Sequence, residues 1–192
     1  MTKNEPKFLH SCILNGHGGA NFVDAHSVAG WTKDQGVLWV HLDVNDDASR
    51  LWLTEGGGLD NTVVESLLAD ETRPRSYSTD TGLLTVLRGV NTNPGEDPED
   101  MVSVRLWIEP DRIISTRRRR LLSVVDTRES LEKGVGPKTS GAFLAAITGR
   151  LADRIGDFVD GIEDGVGGAE EQLGNQDQET FRHVISGLRR RI

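Results

Sequence analysis

The hydrophobic pattern of the chain changes character near residue 137. Before that point, apolar runs are short and separated by turn residues. Phe8 to Leu14 stops at Asn15-Gly16-His17-Gly18-Gly19, which predicts a strand followed by a turn. Val37-Leu38-Trp39-Val40-His41-Leu42 is rich in β-branched and aromatic residues and predicts a buried strand. Asp43 to Asp47 supplies turn and cap chemistry for a short helix, Ala48 to Leu53, ended by Gly56-Gly57-Gly58. Asp60 or Asn61 can cap a helix whose Val63, Val64, Leu67 and Leu68 form one buried stripe. Three more strands are expected at Leu83 to Val90, Met101 to Ile108 and Arg112 to Ser115. In the second, Val102, Val104, Leu106 and Ile108 alternate with Ser103, Arg105 and Trp107, the period of a half-buried strand. Glu109-Pro110-Asp111 fits a tight hairpin, because Pro suits the second position of a turn. These elements predict a mixed parallel/antiparallel sheet and an α/β (α+β) class for residues 1–137.

Residues 138–192 differ in kind. From Thr139 onward there is no Pro and no strand pattern. Phe143, Ile147, Leu151, Ile155, Phe158, Ile162, Val166, Ala169 and Leu173 recur at spacings of three and four. That predicts a single helix of about 35 residues, roughly 50 Å long at the α-helical rise. So long a helix cannot lie wholly against so small a domain. Gly174-Asn175 then offers a turn, and Phe181, Val184, Ile185 and Leu188 begin a second helix over Glu179 to Ile192. That pattern reaches Ile192 without a stop signal, so truncation within a longer helix is expected.

Charge narrows the function classes. With 22 Lys and Arg against 30 Asp and Glu, the net charge is −8, which argues against a nucleic-acid partner and for attraction of cations. Cys12 is the only cysteine, so the chain is no disulfide scaffold and suits a reducing compartment. No secretory signal is visible, and no stretch approaches the roughly 20 apolar residues of a spanning helix, so the piece is expected to be soluble.

Five ordered stretches carry a family resemblance: Trp39-Val40-His41-Leu42-Asp43, Ala69-Asp70-Glu71-Thr72-Arg73-Pro74-Arg75, Leu87-Arg88-Gly89-Val90-Asn91, Arg112-Ile113-Ile114-Ser115-Thr116-Arg117 and Gly134-Val135-Gly136-Pro137. In order and spacing they resemble the ZntB branch of the CorA metal-ion transporter superfamily, from about Leu9 to Leu173. The resemblance implies an α-β-α funnel domain on the cytoplasmic face of the inner membrane, with a mixed sheet between helix layers. It also implies long helices leading to a stalk, and assembly as a homopentamer around an ion path. Both transmembrane helices, and with them the pore-lining Gly-x-Asn signature that the family carries there, are absent from this sequence. The piece is therefore expected to attract and sense divalent cations, zinc among them, for a pore it does not contain, and not to act as an enzyme.

Candidate chemistry lies mainly on the long helix. Asp153, Asp157, Asp160 and Asp164 share one face, and Glu163, Glu170 and Glu171 add charge. Neighbouring carboxylates suit hard divalent ions such as Mg²⁺, while an ordinary solvated helix face competes as the reading. No tightly bound cofactor is expected; Zn²⁺ and Mg²⁺ are the candidate ions. Zinc prefers His and Cys, yet His10, His17, His26, His41 and His183 all lie off the long helix, with no Cys-x-x-Cys or His-x-x-x-His spacing. His10 and Cys12 alternate onto one strand face, which His17 or His41 could approach. Cys12, His41 and Asp43 form the best available hydrolase trio, with no flanking motif. The run Arg117-Arg118-Arg119-Arg120, which Arg73, Arg75 and Arg88 could extend, reads as a solvated strand end paired with acids such as Asp126 and Glu129. A free-standing oligomerisation or interaction module built on the long helices remains the alternative function.

Overall fold

The computed structural model describes residues 6, 8–70 and 73–173. The second C-terminal helix expected over Glu179 to Ile192, with the turn before it, lies outside the described residues. Among the described residues, seven strands make one sheet: β1 (His10–Leu14), β2 (Ala20–Phe22), β3 (Val37–Asp43), β4 (Arg75–Ser78), β5 (Leu83–Gly89), β6 (Val102–Ile108) and β7 (Arg112–Arg117). Their order is β2-β1-β3-β7-β6-β5-β4. Among the described residues only β3 and β7 pair in parallel; the other neighbours are antiparallel. The sheet is mixed, as the strand pattern implied. The β6–β7 hairpin closes through the Glu109 amide donating to the Arg112 carbonyl at 2.7 Å.

Helices cover both faces. On one side lie α1 (Ala25–Ala29), α2 (Asp47–Leu51) with a π turn over Trp52–Gly56, and α3 (Asn61–Leu68). There Val63, Val64 and Leu67 of α3 meet Leu38, Val40, Leu42, Leu84, Trp107 and Ile114 of the sheet. On the other side lie α4 (Leu122–Glu132) and α5 (Ser140–Leu173), where Leu121, Val124, Leu131, Phe143, Ile147 and Leu151 meet Cys12, Leu14, Trp39, Leu106 and Ile113. Two-sided cover corrects the expectation for β6. All seven of its residues are buried, because α3 shields the face that carries Ser103, Arg105 and Trp107. Alternation marks a strand's two faces but not whether both are covered.

Several elements escape the hydrophobic pattern. The strand β4 is exposed at every position and sits at a sheet edge, so it has no apolar alternation to display. In α4, Ser123, Thr127 and Ser130 are buried alongside Val124 and Leu131, which blurs the amphipathic stripe. Thr127 and Ser130 satisfy their hydroxyls on helix carbonyls, Ser123 and Thr127 respectively, both at 2.7 Å.

The helix α5 spans 34 residues. Its first turn is held by the Thr139 side chain, which accepts from the Ala142 amide at 3.1 Å. Phe143 then packs edge-on against Trp39, with ring centroids 4.7 Å apart, and both side chains are fully buried. Ile147 and Leu151 continue this contact, and Leu151 reaches the strand backbone where Gly89 lacks a side chain; a β-carbon there would collide with its methyl group. Further along, Ile155 is 37% exposed and Val159 43% exposed. The apolar seam therefore outruns the surface that covers it. Phe143→Ala should cost about 3–5 kcal/mol in urea unfolding, whereas Ile155→Ala should cost under about 0.5 kcal/mol.

Candidate functional site

The acidic face of α5 begins where the sheet stops covering the helix. Asp153, Asp157, Asp160 and Asp164 are exposed, on a sector about 60° wide at 100° per residue, well away from the seam of Phe143, Ile147 and Leu151. Arg154 turns inward instead and pairs with Asp126 of α4, pinning α5 where it leaves the sheet. Successive carboxylates at i, i+4 stand roughly 5–6 Å apart at the backbone, too far to chelate one dehydrated ion alone. Such a row suits hydrated cations, held by field and by outer-sphere contact. Among the described residues, no three His, Cys, Asp or Glu side chains are grouped closely enough to hold a metal ion.

The residues weighed for zinc are only partly brought together. Register places His10 opposite His41 and Cys12 opposite Trp39, all on the α4 side of the sheet. The two imidazoles stack with centroids 5.6 Å apart. His17 is exposed in the β1–β2 turn and His26 is exposed on α1, while His183 lies outside the described residues. His41 is fully buried, with Nδ1 2.8 Å from the Ser115 hydroxyl; that same hydroxyl accepts from the Trp39 indole at 2.8 Å. Its Nε2 is buried without a partner among the described residues. Burial lowers the pKa of His41 well below the ordinary value, with His10 and Arg117 adding to the effect. His10 falls to about 4, through burial first and then the charges of Arg128 and Arg117. Two cationic neighbours make this a poor place for a metal ion.

The hydrolase trio does not assemble. Burial pushes the Cys12 thiol up to about 12, so no thiolate forms near neutral pH. His41 spends its bonded nitrogen on Ser115, not on Cys12.

Three arginines of the run are paired, but not with the acids that sequence proximity suggested. Arg117 lies 3.7 Å from Asp43, Arg118 2.6 Å from Asp70, and Arg119 3.7 Å from Glu96 and 3.8 Å from Asp100. Asp126 instead serves Arg154, and Glu129 lies 3.4 Å from Lys133. The reason is strand geometry: successive side chains of β7 point to opposite faces, so Arg117 and Arg118 meet different neighbours. Sequence reasoning also missed Arg105, which is fully buried.

The profile of the family described as CorA-like Mg²⁺ transporter protein matches residues 34–192. The chain belongs to that family. Among sequence relatives, the divalent cation transporter CmaX of Pseudomonas aeruginosa is 38% identical over 154 residues, 79% of this chain and 46% of that protein. The zinc transport protein ZntB of Enterobacter sp. is 31% identical over 156 residues, 81% of this chain and 47% of that protein. The chain thus spans about half the length of these CorA-family relatives. Full-length CmaX superposes with a TM-score of 0.84 at 34% identity, over 99% of this chain and 61% of that one. The ZntB cytoplasmic domain from Vibrio parahaemolyticus superposes at 0.76 with 26% identity, over 94% and 70%. The chain is a ZntB-type member of the CorA superfamily with that cytoplasmic-domain fold. Among the described residues no helix is long and apolar enough to cross a membrane.

The histidine stack gives the domain a pH dependence. Both folded pKa values lie below the ordinary 6.5, so the unfolded chain binds more protons as pH falls. Stability is therefore full above about pH 7 and declines between about 6.5 and 4. Urea unfolding across pH 7 to 5 should show this loss, and His10→Gln should make the dependence shallower.

Proposed function

We propose that this chain is the cytoplasmic funnel and regulatory domain of a divalent-cation transporter of the inner membrane, with zinc as the favoured cargo. In this reading residues 1–137 form the α/β body and 138–192 the long helix and the start of a stalk. Membrane-spanning helices would follow the stalk. Five copies would surround an ion path, and the exposed Ile155 and Val159 would be covered by neighbouring helices. The observation that carries the proposal is the row Asp153, Asp157, Asp160 and Asp164, exposed on a helix that outruns its own sheet in a CorA-family chain.

The mechanism is electrostatic first. A face of one charge sign raises the local concentration of cations and speeds their arrival. Regulation needs more: cations must bind one arrangement of the helices more tightly than another, because equal affinity shifts nothing. A row of carboxylates meets that demand if bringing rows together is repulsive without cations and tolerated with them. The domain itself performs no covalent chemistry. The relatives CmaX and ZntB are a divalent cation transporter and a zinc transport protein.

Isothermal titration of the 192-residue chain with Zn²⁺, Mg²⁺ and Co²⁺ tests the proposal. Weak, salt-sensitive binding is expected, on the order of 0.1–1 mM as befits few-carboxylate sites. Replacing Asp153, Asp157, Asp160 and Asp164 together by Asn should remove most of the heat. No heat with any of the three ions, or identical heat in the quadruple variant, would contradict it.

A further inference from the structure

Four arginines meet on the α3 side of the sheet, on the face opposite α5. Register builds the group: Arg75 of β4 faces Val86 of β5, Val86 faces Arg105 of β6, and Arg105 faces Thr116 of β7. One pleat along, Arg88 faces Ser103, and Arg118 follows Thr116 by two positions. Cross-strand partners and residues two apart share a face, so these guanidinium groups point the same way at one end of the sheet.

Arg105 is the centre of the group and is fully buried. Among the described residues, its Nε and Nη2 are buried without a hydrogen-bond partner, and its Nη1 has a long 3.5 Å contact to the Ser103 hydroxyl. The Nε atoms of Arg88 and Arg118 are likewise buried and unpartnered. Nearby acceptors are already engaged: the Leu67 carbonyl accepts from Thr116 at 2.9 Å and the Leu68 carbonyl from Arg118 at 2.9 Å. Asp70 holds Arg118 at 2.6 Å, and its own side chain is 91% exposed. Burial lowers the pKa of Arg105, Arg118 and Arg75 lower it further, and Asp70 opposes them. Even so, a guanidinium does not shed its proton in a protein. A buried cation with unmet donors and cationic neighbours is costly unless an anion answers it.

We propose that Arg105, with Arg88 and Arg118, binds a small soluble oxyanion, a phosphate or a carboxylate. The guanidinium fork offers parallel N–H donors that match either group, and the strand pairing holds the donors in place beforehand. A small anion would approach past Arg88 and Arg118, which are only partly buried, and their side chains would have to shift for it to reach the enclosed Arg105. The site takes an anion while the acidic row on α5 attracts cations, so one domain presents opposite charge preferences on its two faces.

The test is titration of the 192-residue chain with inorganic phosphate and, separately, acetate, at constant ionic strength set with chloride. Binding is followed by calorimetry and by the melting temperature. Low millimolar concentrations separate binding from the general stabilisation by excluded salts, which does not saturate. Saturable binding of either anion is expected, at least tenfold weaker in Arg105→Met and severalfold weaker in Arg88→Gln. Arg88 is only partly buried, so its variant keeps the test alive if Arg105→Met fails to fold. Preference for phosphate or acetate identifies the natural class of ligand. Absence of saturation with both anions, as when a carboxylate of the chain itself neutralises Arg105, would overturn the proposal. So would anion binding that Arg88→Gln leaves unchanged.

Discussion

The contact between Trp39 and Phe143 is the constraint on which the arrangement depends. Trp39 stands in β3, the strand that joins the antiparallel β1–β2 edge to β7 through the sheet's one parallel pairing. Its indole is fixed from below by the Ser115 hydroxyl and from above by the edge of Phe143. With that ring pinned, the direction of α5 is set, and Ile147 and Leu151 fall onto the sheet in turn. The helix is then straight geometry: what lies four turns further on is placed by what happens in the first three. An acidic row beyond residue 151 is aimed by a tryptophan in the core.

Charge is distributed over the domain by the same logic of faces. The sheet has helices on both sides, so polar side chains on its strands are buried whichever way they point. On the α4 side this produces neutral histidines whose proton affinity is suppressed by burial and by Arg117 and Arg128. On the α3 side it produces Arg105, whose charge cannot be suppressed in the same way. A titratable group answers burial by losing its charge, while an arginine must be answered by a partner. That difference is why the first cluster yields a pH-dependent stability and the second a binding site. The carboxylates of α5 are under neither pressure, because they remain in water.

Much of this was legible in the sequence, and the limits are physical. The strands β3, β5, β6 and β7 announced themselves by β-branched runs, and α5 by an apolar recurrence unbroken from Phe143. The edge strands β2 and β4 did not, because an element with little buried surface leaves little hydrophobic signature. The helix α4 was hidden by Ser123, Thr127 and Ser130, small polar residues that are buried against expectation. Arg105 was assigned to an open face by the alternation of β6; only the position of α3 shows it enclosed. The acidic row needed no tertiary information, since helical period alone aligns Asp153, Asp157, Asp160 and Asp164. The pairing of Arg117, Arg118 and Arg119 needed all of it, because their acids come from distant loops and strand ends.

Hydrogen exchange along α5 tests the central claim, that the helix is anchored over its first three turns and projects beyond them. Measured at concentrations where the chain is monomeric, amides from Phe143 to Leu151 should exchange near the rate set by global unfolding. Those around Phe158 to Val166 should exchange at least about 100-fold faster, by local fraying. Uniform protection from Phe143 through Val166 in the monomer would contradict the account, since it would mean that the distal helix is packed against the body after all.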